Sequence, residues 1–448
     1  MSGWSAYWRR RAIGALLVAS RSDVPACLRE FRSLESAPPD VVRDYQRRQL
    51  LSLLRHCHAH VPWYRERIES ANLDLSDCFT VDELEKLPLL TRETIRREGS
   101  RLHSDDAHSR GAFRNSTGGS TGEPVTFLQD RAYTAKNVVA AKFIYNEFLG
   151  KKPGELEFNL WGSERDISRG SLGAKQQAIN FVYNRRFQNF FLVDDARLAS
   201  FCDEINRYKP VSLWAYAGSI ELLARFIRRQ KRRIHSPKFI ISTAGTLYPA
   251  LRETVQEVFR CPVYNQYGSR EVGAIAFEMQ DQDGLRGLPY LNYTEVVDGR
   301  VVVTCLTNRS MPLLRYDIGD TAEPWSGTQD ANYGCRHKLF RAVTGRVHSH
   351  FKTAEGALVY GGFFAKQFYF LDWVTQFQIV QEGVNRISCY VVPAGEPVAA
   401  DMDSIRARMR AAMGRECEIE FRFMDRIAPS PSGKHLHTVS QLEGQLQE

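Results

Sequence analysis

VSLWAYAGSIELLARFIRRQKRRIHSPKFIISTAG, residues 211–245, is the stretch that decides the fold of this chain. VSLWAYA at its start and KFIISTAG at its end are short runs of apolar and β-branched residues, and they predict two strands. SIELLARFIRRQKRR, which lies between them, is typical of a helix. A strand–helix–strand sequence of this kind predicts an α/β sheet whose faces are covered by helices.

The same alternation continues over residues 125–300. Further strands are predicted at LEFNLWG (156–162) and CPVYNQYG (261–268). A further helix is predicted at YPALRETVQEVF (248–259). This region therefore forms the body of a large α/β domain. After this region, RVVVTCL (300–306) and PLLRYDIGD (312–320) predict strands that close the domain.

The segments on either side of that body differ from it. Residues 1–100 predict a helical lead-in, in which Pro62 interrupts one helix and Thr91 caps another that begins near Arg92. After residue 347, two strands, a helix and a strand (FQIVQ, RISCYVV, DSIRARMRAAMG and EIEFRFM) predict a small α+β module. We expect an α/β protein with a large N-terminal domain of mixed sheets at 1–347 and a small C-terminal domain at 348–448.

The composition is that of a globular protein with a sizeable core, since 43% of the 448 residues are hydrophobic and 25% are charged. A net charge of +8 favours anionic partners, which include nucleotides, phosphorylated cofactors and nucleic acid. Nine cysteines without a Cys-x-x-Cys spacing predict reduced thiols and a cytoplasmic protein. The apolar run 12–19 after three arginines is too short for a membrane span and lacks a cleavage site, so it predicts an amphipathic helix.

STGGSTGEP, residues 116–124, has the composition of a loop that lies against phosphate. Its glycines allow close approach of the main chain, and its hydroxyls and backbone N–H groups can form an anion-binding nest. It lacks the Gly-Lys-Ser/Thr ending of a Walker A loop. Taken alone, the stretch is more typical of an ordinary turn or linker. The candidate phosphate contacts are Ser116, Thr117, Gly118, Gly119, Ser120, Thr121 and Gly122.

YNQYGSRE, residues 264–271, places an aromatic ring, a glycine, a cation and a carboxylate at the end of a predicted strand. Tyr267 could stack on a base, and Gly268 is expected to form a tight turn. Arg270 could pair with phosphate and Glu271 could hold Mg²⁺. A loop with a surface ion pair would explain the same residues equally well.

Three further motifs follow in order. In RYDIGD (315–320), Asp320 follows a glycine turn and offers two oxygens to the hydroxyls of a ribose, although solvated turn aspartates are also a plausible explanation. In TGR (344–346), Arg346 could reach phosphate or ribose. In PSPSGK (429–434), Lys434 follows a glycine and could be delivered to a distant site as a mobile charge, although alone it is more typical of a solvated tail.

Together and in this order, the five motifs resemble those of the adenylate-forming enzymes, which include acyl-CoA synthetases, peptide-synthetase adenylation domains and luciferases. Within that superfamily the chain is most similar to the phenylacetate–CoA ligase-like branch, particularly its capsular-polysaccharide-associated members. HVPWYRE, LPLLTRETIR and VVVTCLTNRSMPLLRYDIGD also resemble this branch. The resemblance therefore covers nearly the whole chain.

The resemblance implies ATP-dependent activation of a small carboxylic acid. An acyl-adenylate and pyrophosphate would form, and the acyl group would pass to the thiol of CoA, to a phosphopantetheine carrier protein or to an amine. It implies that Glu271 binds Mg²⁺ and that Lys434 and Arg270 stabilise charge during catalysis. The small domain would be mobile and rotate about a hinge at His348. The residues implied in nucleotide binding are the seven of 116–122 together with Tyr267, Gly268, Ser269, Asp320 and Arg346.

Several positions depart from the pattern of the superfamily. Glu123 stands where many relatives have lysine, Arg270 where threonine is usual, and His348 where aspartate or lysine is common. STAGTLYP (242–249) lacks a glutamate that often occurs there. The magnesium, ribose and lysine positions are all retained, so we expect an active enzyme.

The acid is not identified by the sequence. By position in the superfamily, the residues that could approach the acyl group are Trp214, Tyr216, Ala217, Gly218, Ala244, Gly245 and Tyr264. Their aromatic and small side chains suit an aryl or short acyl group, but packing in the core explains them equally well.

Two other features suggest different chemistry. His56 and His60 have the spacing of a zinc-binding pair on a helix, but no second pair of ligands is evident nearby in the sequence. The segment 225–238 contains seven lysines and arginines, which is typical of a solvated helix face and less so of a polyanion site.

The sequence thus predicts a cytoplasmic, Mg²⁺- and ATP-dependent ligase of polysaccharide or secondary-metabolite biosynthesis. We expect a monomer or homodimer with no membrane span and no nucleic-acid partner. A catalytically inactive relative and a basic nucleic-acid-binding protein are the alternatives.

Overall fold

The computed structural model describes residues 2–20, 22–116, 125–161, 174–190, 192–245, 247, 249–326, 337–344, 350–368, 371, 373–393, 395–427 and 438–442. The α-helices are α1 (Ser2–Ala19), α2 (Val24–Ser36), α3 (Pro39–His60), α4 (Pro62–Ser70), α5 (Arg92–Glu98), α6 (Arg131–Tyr133), α7 (Ala141–Phe148), α8 (Ala174–Tyr183), α9 (Asp195–Tyr208), α10 (Ala217–Arg229), α11 (Pro249–Phe259), α12 (Gly361–Lys366) and α13 (Ala399–Met413). Two 3₁₀ segments (Val81–Lys86 and Gly99–Leu102) and a π segment (Thr134–Ala140) accompany them.

The strands are β1 (Phe113–Ser116), β2 (Thr126–Gln129), β3 (Glu157–Trp161), β4 (Arg185–Asn189), β5 (Leu192–Val193), β6 (Ser212–Tyr216), β7 (Phe239–Thr243), β8 (Val263–Ser269), β9 (Gly273–Phe277), β10 (Leu285–Gly287), β11 (Asn292–Val297), β12 (Arg300–Cys305), β13 (Tyr316–Pro324), β14 (Lys338–Thr344), β15 (His350–Lys352), β16 (Leu358–Tyr360), β17 (Val374–Gly383), β18 (Arg386–Pro393), β19 (Glu418–Phe423) and β20 (Thr438–Ser440). The mixed α/β fold expected from the sequence is confirmed.

One compact unit comprises Met1–Thr117, Val125–Glu155 and Tyr264–Gly345. Its antiparallel sheet has the order β11-β12-β13-β14-β10-β9-β8. Leu50, Leu53, Leu54 and Cys57 of α3 recur at helical spacing and join the buried core beside Val301 and other sheet residues. The helical lead-in therefore packs on this sheet through an apolar helix face.

The helix boundaries in this unit follow their local sequence signals. Pro62 follows the end of α3, as predicted, and also occupies the first position of α4, where its missing N–H costs nothing. Thr91 caps α5, since its hydroxyl accepts a hydrogen bond of 3.1 Å from the backbone N–H of Thr94. The predicted cap is confirmed.

The other compact unit comprises Gly118–Pro124, Leu156–Val263 and Arg346–Glu448. Its parallel sheet has the order β7-β6-β3-β4, and β6 and β7 are buried along nearly their whole length, as expected when helices cover both faces. The apolar faces of α9, α10 and α11 contribute to the core of this sheet. The strand–helix–strand prediction for 211–245 is confirmed.

Residues 350–442 contribute two smaller sheets to this second unit. β15, β16 and β5 form one sheet, and the other has the order β19-β18-β17-β20. Ile405, Met409 and Met413 of α13 pack with Ile379 and Cys389 of the second sheet. The strands and helix predicted for this segment are thus present. The boundary at 347/348 falls outside the described residues and stays a prediction.

Two general expectations can be compared with the described residues. Every described cysteine is free, and all of them except Cys78 are buried. None of the described helices is both long enough and apolar enough to cross a membrane.

Candidate active site

The turn that carries Glu271 joins β8 to β9 and is fixed through its carbonyl groups. Gln129 Nε2 donates a hydrogen bond of 2.6 Å to the carbonyl oxygen of Arg270. Asn137 Nδ2 donates one of 2.8 Å to the carbonyl oxygen of Val272. Because the carbonyl groups on both sides of Glu271 are held, the position of its side chain is preorganised.

Gly268 does not form the tight turn that the sequence predicts. It lies within β8, and a methyl group there would come 2.5 Å from the carbonyl oxygen of Gly273 on the neighbouring strand. Gly273 is the residue with a positive φ, +75°, and a methyl group there would come 2.8 Å from Cβ of Asn137. Gly268 thus allows β8 and β9 to approach each other, and Gly273 makes the turn.

Glu271 lies in a buried, hydrogen-bonded cluster. Its carboxylate Oε1 accepts a hydrogen bond of 3.0 Å from the Tyr316 hydroxyl, and Arg92 Nη2 lies 3.4 Å away. Arg92 Nε also donates to the Tyr316 hydroxyl over 3.2 Å. The side chain of Glu271 is 4% exposed, so the guanidinium supplies the counter-charge that a buried carboxylate requires.

The electrostatics of this cluster follow from its burial and its charges. Burial raises the pKa of Tyr316, and the Glu271 carboxylate raises it further, so the hydroxyl remains a donor. Burial lowers the pKa of Arg92, but Tyr316, Glu271 and Asp320 outweigh that effect and the pKa is raised overall. The Arg92 guanidinium therefore stays charged beside the Glu271 carboxylate.

Arg92 is placed by the backbone pairing of the residues just before it. The Leu90 N–H donates to the carbonyl oxygen of Arg315 over 3.0 Å, and the Asp317 N–H donates to the carbonyl oxygen of Leu90 over 2.9 Å. These bonds pair residue 90 with the start of β13. This pairing places Arg92, the first residue of α5, beside Tyr316.

Asp320 is presented by an irregularity in β13. The register between β12 and β13 shifts, because Arg300 is opposite Thr321 whereas Val302 is opposite Asp317. Gly319 within this shift has φ +80°. The Asp320 carboxylate Oδ2 accepts a hydrogen bond of 3.0 Å from the Tyr267 hydroxyl.

The alternative that both aspartates of RYDIGD are solvated is wrong for Asp317. This residue is buried, pairs with Arg300 and accepts a hydrogen bond of 2.9 Å from the Gly319 N–H. Its carboxylate holds the bulge in place, whereas Asp320 is half-buried and reaches the surface. The two carboxylates therefore have different roles.

Arg270 and Ser269 complete the described part of this motif. The Ser269 hydroxyl accepts a hydrogen bond of 3.3 Å from the Val272 N–H, which tightens the turn. The Arg270 side chain is partly exposed and, among the residues that the structure describes, makes no hydrogen bond or ion pair. It is thus available to an anionic ligand.

The glycine-rich stretch is only partly described. Ser116 pairs with Thr126 at the end of the β1–β2 hairpin, and Asn115 Nδ2 donates to Gln129 Oε1 over 2.9 Å. Since Gln129 also holds the Glu271 turn, this hairpin is tied to that turn. The predicted residues Thr117, Gly118, Gly119, Ser120, Thr121, Gly122, Arg346, His348 and Lys434 lie outside the described residues.

The donor chemistry of the Glu271 cluster is compatible with the Mg²⁺ site that the sequence predicts. Mg²⁺ is usually bound by one or two carboxylates together with waters and substrate phosphates. The described hydrogen bonds to Glu271 from Tyr316 and Arg92 both fall on Oε1. Oε2 is the oxygen that would hold the ion.

The residues predicted for an acyl pocket divide between the two units. Tyr264 lies on β8 in the first unit and is buried. Trp214 lies in the middle of β6 and is buried. The others lie at or just after the carboxyl ends of β6 and β7, where ligands commonly bind to parallel sheets: Tyr216, Ala217, Gly218, Ala244 and Gly245. A methyl group at Gly245 would come 3.1 Å from Cβ of Ala217. The Trp161 and Tyr216 rings lie 4.8 Å apart, so sequence reasoning missed one aromatic neighbour.

The sequence also missed three supporting residues of the Glu271 cluster, namely Arg92, Gln129 and Tyr316. Arg92 and Tyr316 stand inside LPLLTRETIR and RYDIGD, both of which resemble the superfamily. A polar residue within such a motif is the signal that could have found them. Gln129 carries no such signal, because its role depends on a contact with a residue 141 positions away.

The side chains of the cluster formed by His56, His60 and Asp106 already make hydrogen bonds within the protein. His56, His60 and Asp106 bring one potential ligand atom each to within 4.8 Å of the others. However, His56 Nε2 contacts the carbonyl oxygen of Arg309 over 2.9 Å, and Asp106 accepts hydrogen bonds of 2.8 and 2.9 Å from Arg110 Nε. The arginine already balances the carboxylate, so a structural network explains the cluster.

The basic segment 225–238 is partly neutralised within the fold. Arg229 pairs with Asp195 over 2.7 Å, and Arg232 pairs with Asp203 over 2.5 Å. These pairs fit the solvated helix face that the composition predicts.

Comparisons with known proteins agree with the motifs. A family model described as the CapK C-terminal domain matches residues 351–441. Protein CapK of Staphylococcus aureus is 24% identical over 398 residues, which cover 85% of each chain. Phenylacetate-coenzyme A ligase of Pseudomonas putida is 23% identical over 323 residues, or 66% of this chain and 69% of the ligase.

The resemblance to the phenylacetate–CoA ligase-like branch of the adenylate-forming superfamily is thereby confirmed. The fold agrees with it. The structure of 2-hydroxyisobutyryl-CoA ligase in complex with 2-HIB-AMP and CoA in the thioesterification state has a TM-score of 0.61 and 21% identity to this chain. The alignment covers 92% of this chain and 94% of the ligase. The adenylate-forming fold therefore extends over nearly the whole chain, including the small C-terminal module.

Proposed function

We propose that this chain is an AMP-forming ligase that condenses a carboxylic acid with ATP to an acyl-adenylate and pyrophosphate. The observation that carries the proposal is the buried Glu271 carboxylate paired with the half-buried Arg92 over 3.4 Å, with Asp320 as the second carboxylate whose charge raises the pKa of Arg92. Arg270, whose side chain is partly exposed, directly precedes Glu271 in the same turn. This set of charges suits a nucleotide with a bound metal ion.

Each described residue has a distinct task in this proposal. Asp320 accepts hydrogen bonds from the ribose hydroxyls, and Tyr267 orients it and lies against the adenine. Arg270 pairs with phosphate oxygens. Glu271 holds Mg²⁺, which screens the phosphate charges so that a carboxylate can approach. Tyr316 holds the Glu271 side chain in place through its hydrogen bond and does not itself react.

The remaining tasks fall to residues assigned by the resemblance alone. The stretch 116–122 would hold the β- and γ-phosphates, largely through backbone N–H groups and hydroxyls because Glu123 replaces a common lysine. Lys434 would stabilise charge between the α-phosphate and the carboxylate, and Arg346 would assist at the ribose.

In the second half-reaction, we propose that the acyl group passes to a thiol, with CoA as the first choice. The name of the phenylacetate-coenzyme A ligase relative and the CoA in the complex of 2-hydroxyisobutyryl-CoA ligase support this choice. A carrier-protein thiol or an amine would use the same acyl-adenylate. The acceptor therefore has to be assigned separately from the adenylation step.

The test is ATP–pyrophosphate exchange against a panel of aromatic, aliphatic, hydroxy and amino acids. Exchange that depends on one acid and on Mg²⁺ is the expected result. ATP binding without exchange for any acid would contradict the proposal. With the acid known, product analysis with CoA and with amines assigns the acceptor.

Lys434→Ala separates the two half-reactions. It should abolish exchange and leave transfer from a synthetic acyl-adenylate largely intact. Lys231→Ala, at an exposed lysine of the basic segment, is the matched control and should leave both steps unchanged. Equal loss of both steps in Lys434→Ala would contradict the assigned role of this lysine.

A further inference from the structure

The outward face of α1 is aromatic, apolar and basic. Tyr7, Arg11, Ala15 and Val18 follow one another at spacings of four, four and three, so they form one stripe along the helix. All four are exposed, with 52% of Tyr7 and 74% of Val18 accessible. Trp8, 42% exposed, flanks the stripe. Two aromatic rings and a valine are not usually grouped on a solvated helix face.

The opposite face of α1 packs against the body of this unit. Arg9 and Ile13, four residues apart, are 8% and 3% exposed. Gly154 allows the helix to approach, because a methyl group there would lie 2.8 Å from Cβ of Arg9 and 2.9 Å from the carbonyl oxygen of Ala6. The helix is therefore fixed with its Tyr7–Val18 stripe directed away from the body of this unit. The helix predicted from the sequence is present, but large apolar residues also occupy its solvent-facing side.

The charge of this face has one sign. α1 contains three arginines and no aspartate or glutamate. Arg10 and Arg11 are exposed, and Arg11 Nη1 donates a hydrogen bond of 2.9 Å to the Tyr7 hydroxyl. The whole chain carries a net charge of +8. An anionic surface is the complementary partner.

We propose that this outward face of α1 binds the surface of a bilayer that contains anionic lipid. Trp8 and Tyr7 have an apolar ring and a polar tip, which suit the boundary between headgroups and acyl chains. Val18 enters the outer acyl region, and Arg10 and Arg11 pair with lipid phosphates. At about 27 Å, from 1.5 Å per residue, the helix would lie in the plane of the interface.

Co-sedimentation with lipid vesicles tests this inference on the full chain. The protein is mixed with vesicles of phosphatidylcholine alone and with vesicles that contain equal parts of phosphatidylcholine and phosphatidylglycerol. We expect binding to the anionic vesicles that weakens as salt is added. No binding to the anionic vesicles, or equal binding to both kinds, would overturn the inference.

Two independent variants locate the surface. Arg10→Gln with Arg11→Gln removes two charges and should lower the partition coefficient about 30-fold, since each basic residue near an anionic surface contributes about 1 kcal/mol. Trp8→Ser with Val18→Ser keeps the charge and should lower it at least tenfold. Lys231→Gln with Arg233→Gln, two exposed cations elsewhere, is the charge control, and Val398→Ser, 44% exposed, is the apolar control. Controls that lose as much binding as the α1 variants would overturn the assignment to this helix.

Light scattering in the absence of lipid tests whether this face of α1 instead binds a second copy of the chain. A dimer that both α1 variants convert to monomer would contradict the lipid surface as the partner of this face. Because the four substituted side chains are exposed, the variants should keep the thermal unfolding midpoint of the wild type.

Discussion

The Tyr316 hydroxyl donates a hydrogen bond of 3.0 Å to Oε1 of Glu271, and this bond joins β13 to the turn between β8 and β9. The two residues are 45 positions apart in the chain. Both are buried, so the bond forms away from water, where an unpaired carboxylate would be costly. Tyr316 is therefore a positioning residue for the proposed metal ligand.

Tyr316→Phe should weaken the Mg²⁺-dependent binding of ATP. A hydrogen bond to a charged group contributes about 1.5–3 kcal/mol, so we expect the Mg²⁺ concentration for half-maximal ATP binding to rise roughly 10- to 100-fold. Isothermal titration calorimetry at several Mg²⁺ concentrations measures this. ATP binding in the absence of Mg²⁺ should change much less, which separates positioning from general loss of structure.

Tyr45→Phe is the matched control for that substitution. Tyr45 is also buried, and its hydroxyl donates to Glu30 over 2.9 Å in a contact between α3 and α2. It should leave the Mg²⁺ dependence unchanged. Equal shifts in the two variants would remove the case for a specific role of Tyr316.

Asp320→Asn should reduce discrimination between ATP and 2′-deoxy-ATP. A carboxylate can accept from both ribose hydroxyls, whereas an amide offers a single acceptor oxygen. We expect the wild type to bind ATP more tightly than the deoxynucleotide by roughly tenfold or more, and the variant to bind them about equally. Competition calorimetry gives both affinities.

Glu323→Gln is the control on the same strand. Glu323 is exposed, and its carboxylate lies 3.9 Å from Arg341. Its substitution should preserve the preference for ATP. An Asp320 variant that keeps the full preference would show that the ribose is bound elsewhere.

Gly268→Ala should disrupt nucleotide binding through the backbone. The added methyl group would lie 2.5 Å from the carbonyl oxygen of Gly273, so β8 and β9 would have to separate at the turn that carries Glu271. We expect at least a tenfold loss of ATP affinity. Gly395→Ala, where an added methyl group meets nothing within 4 Å, should bind ATP like the wild type. Normal ATP affinity in Gly268→Ala would show that this turn does not contact the nucleotide.

The sequence predicted those parts of the fold whose signals are local. The strands and helix of 211–245 and the cap at Thr91 depend on patterns within a few residues, and both are present. The composition of the compact units has no such local signal, because the first unit combines the separate segments Met1–Thr117, Val125–Glu155 and Tyr264–Gly345. Such long-range packing leaves no short pattern in the chain.

The candidate site, too, could be predicted from the sequence only where the signal is local. Glu271 and Asp320 stand in recognisable motifs, and the structure pairs Glu271 with Arg92 and Asp320 with Tyr267. The sequence predicts a turn at Gly268 because glycine is common in turns, whereas the structure requires glycine there because a neighbouring strand approaches closely. Support from Gln129 could not be predicted, since one glutamine among polar residues carries no distinguishing pattern.

Glu35→Gln should strongly destabilise the first compact unit. The Glu35 and Arg286 side chains are 3% and 2% exposed, and Glu35 also accepts a hydrogen bond of 3.2 Å from the Tyr290 hydroxyl. Removing one partner of a buried ion pair costs about 3–5 kcal/mol, because the other charge stays in a poorly solvated place. The free energy of unfolding, from urea titration, should fall by about that amount.

Glu147→Gln breaks a pair with Arg32 in which both side chains are about half exposed, and should cost less than about 1 kcal/mol. Similar losses for the two variants would show that burial does not govern the contribution of the Glu35 pair.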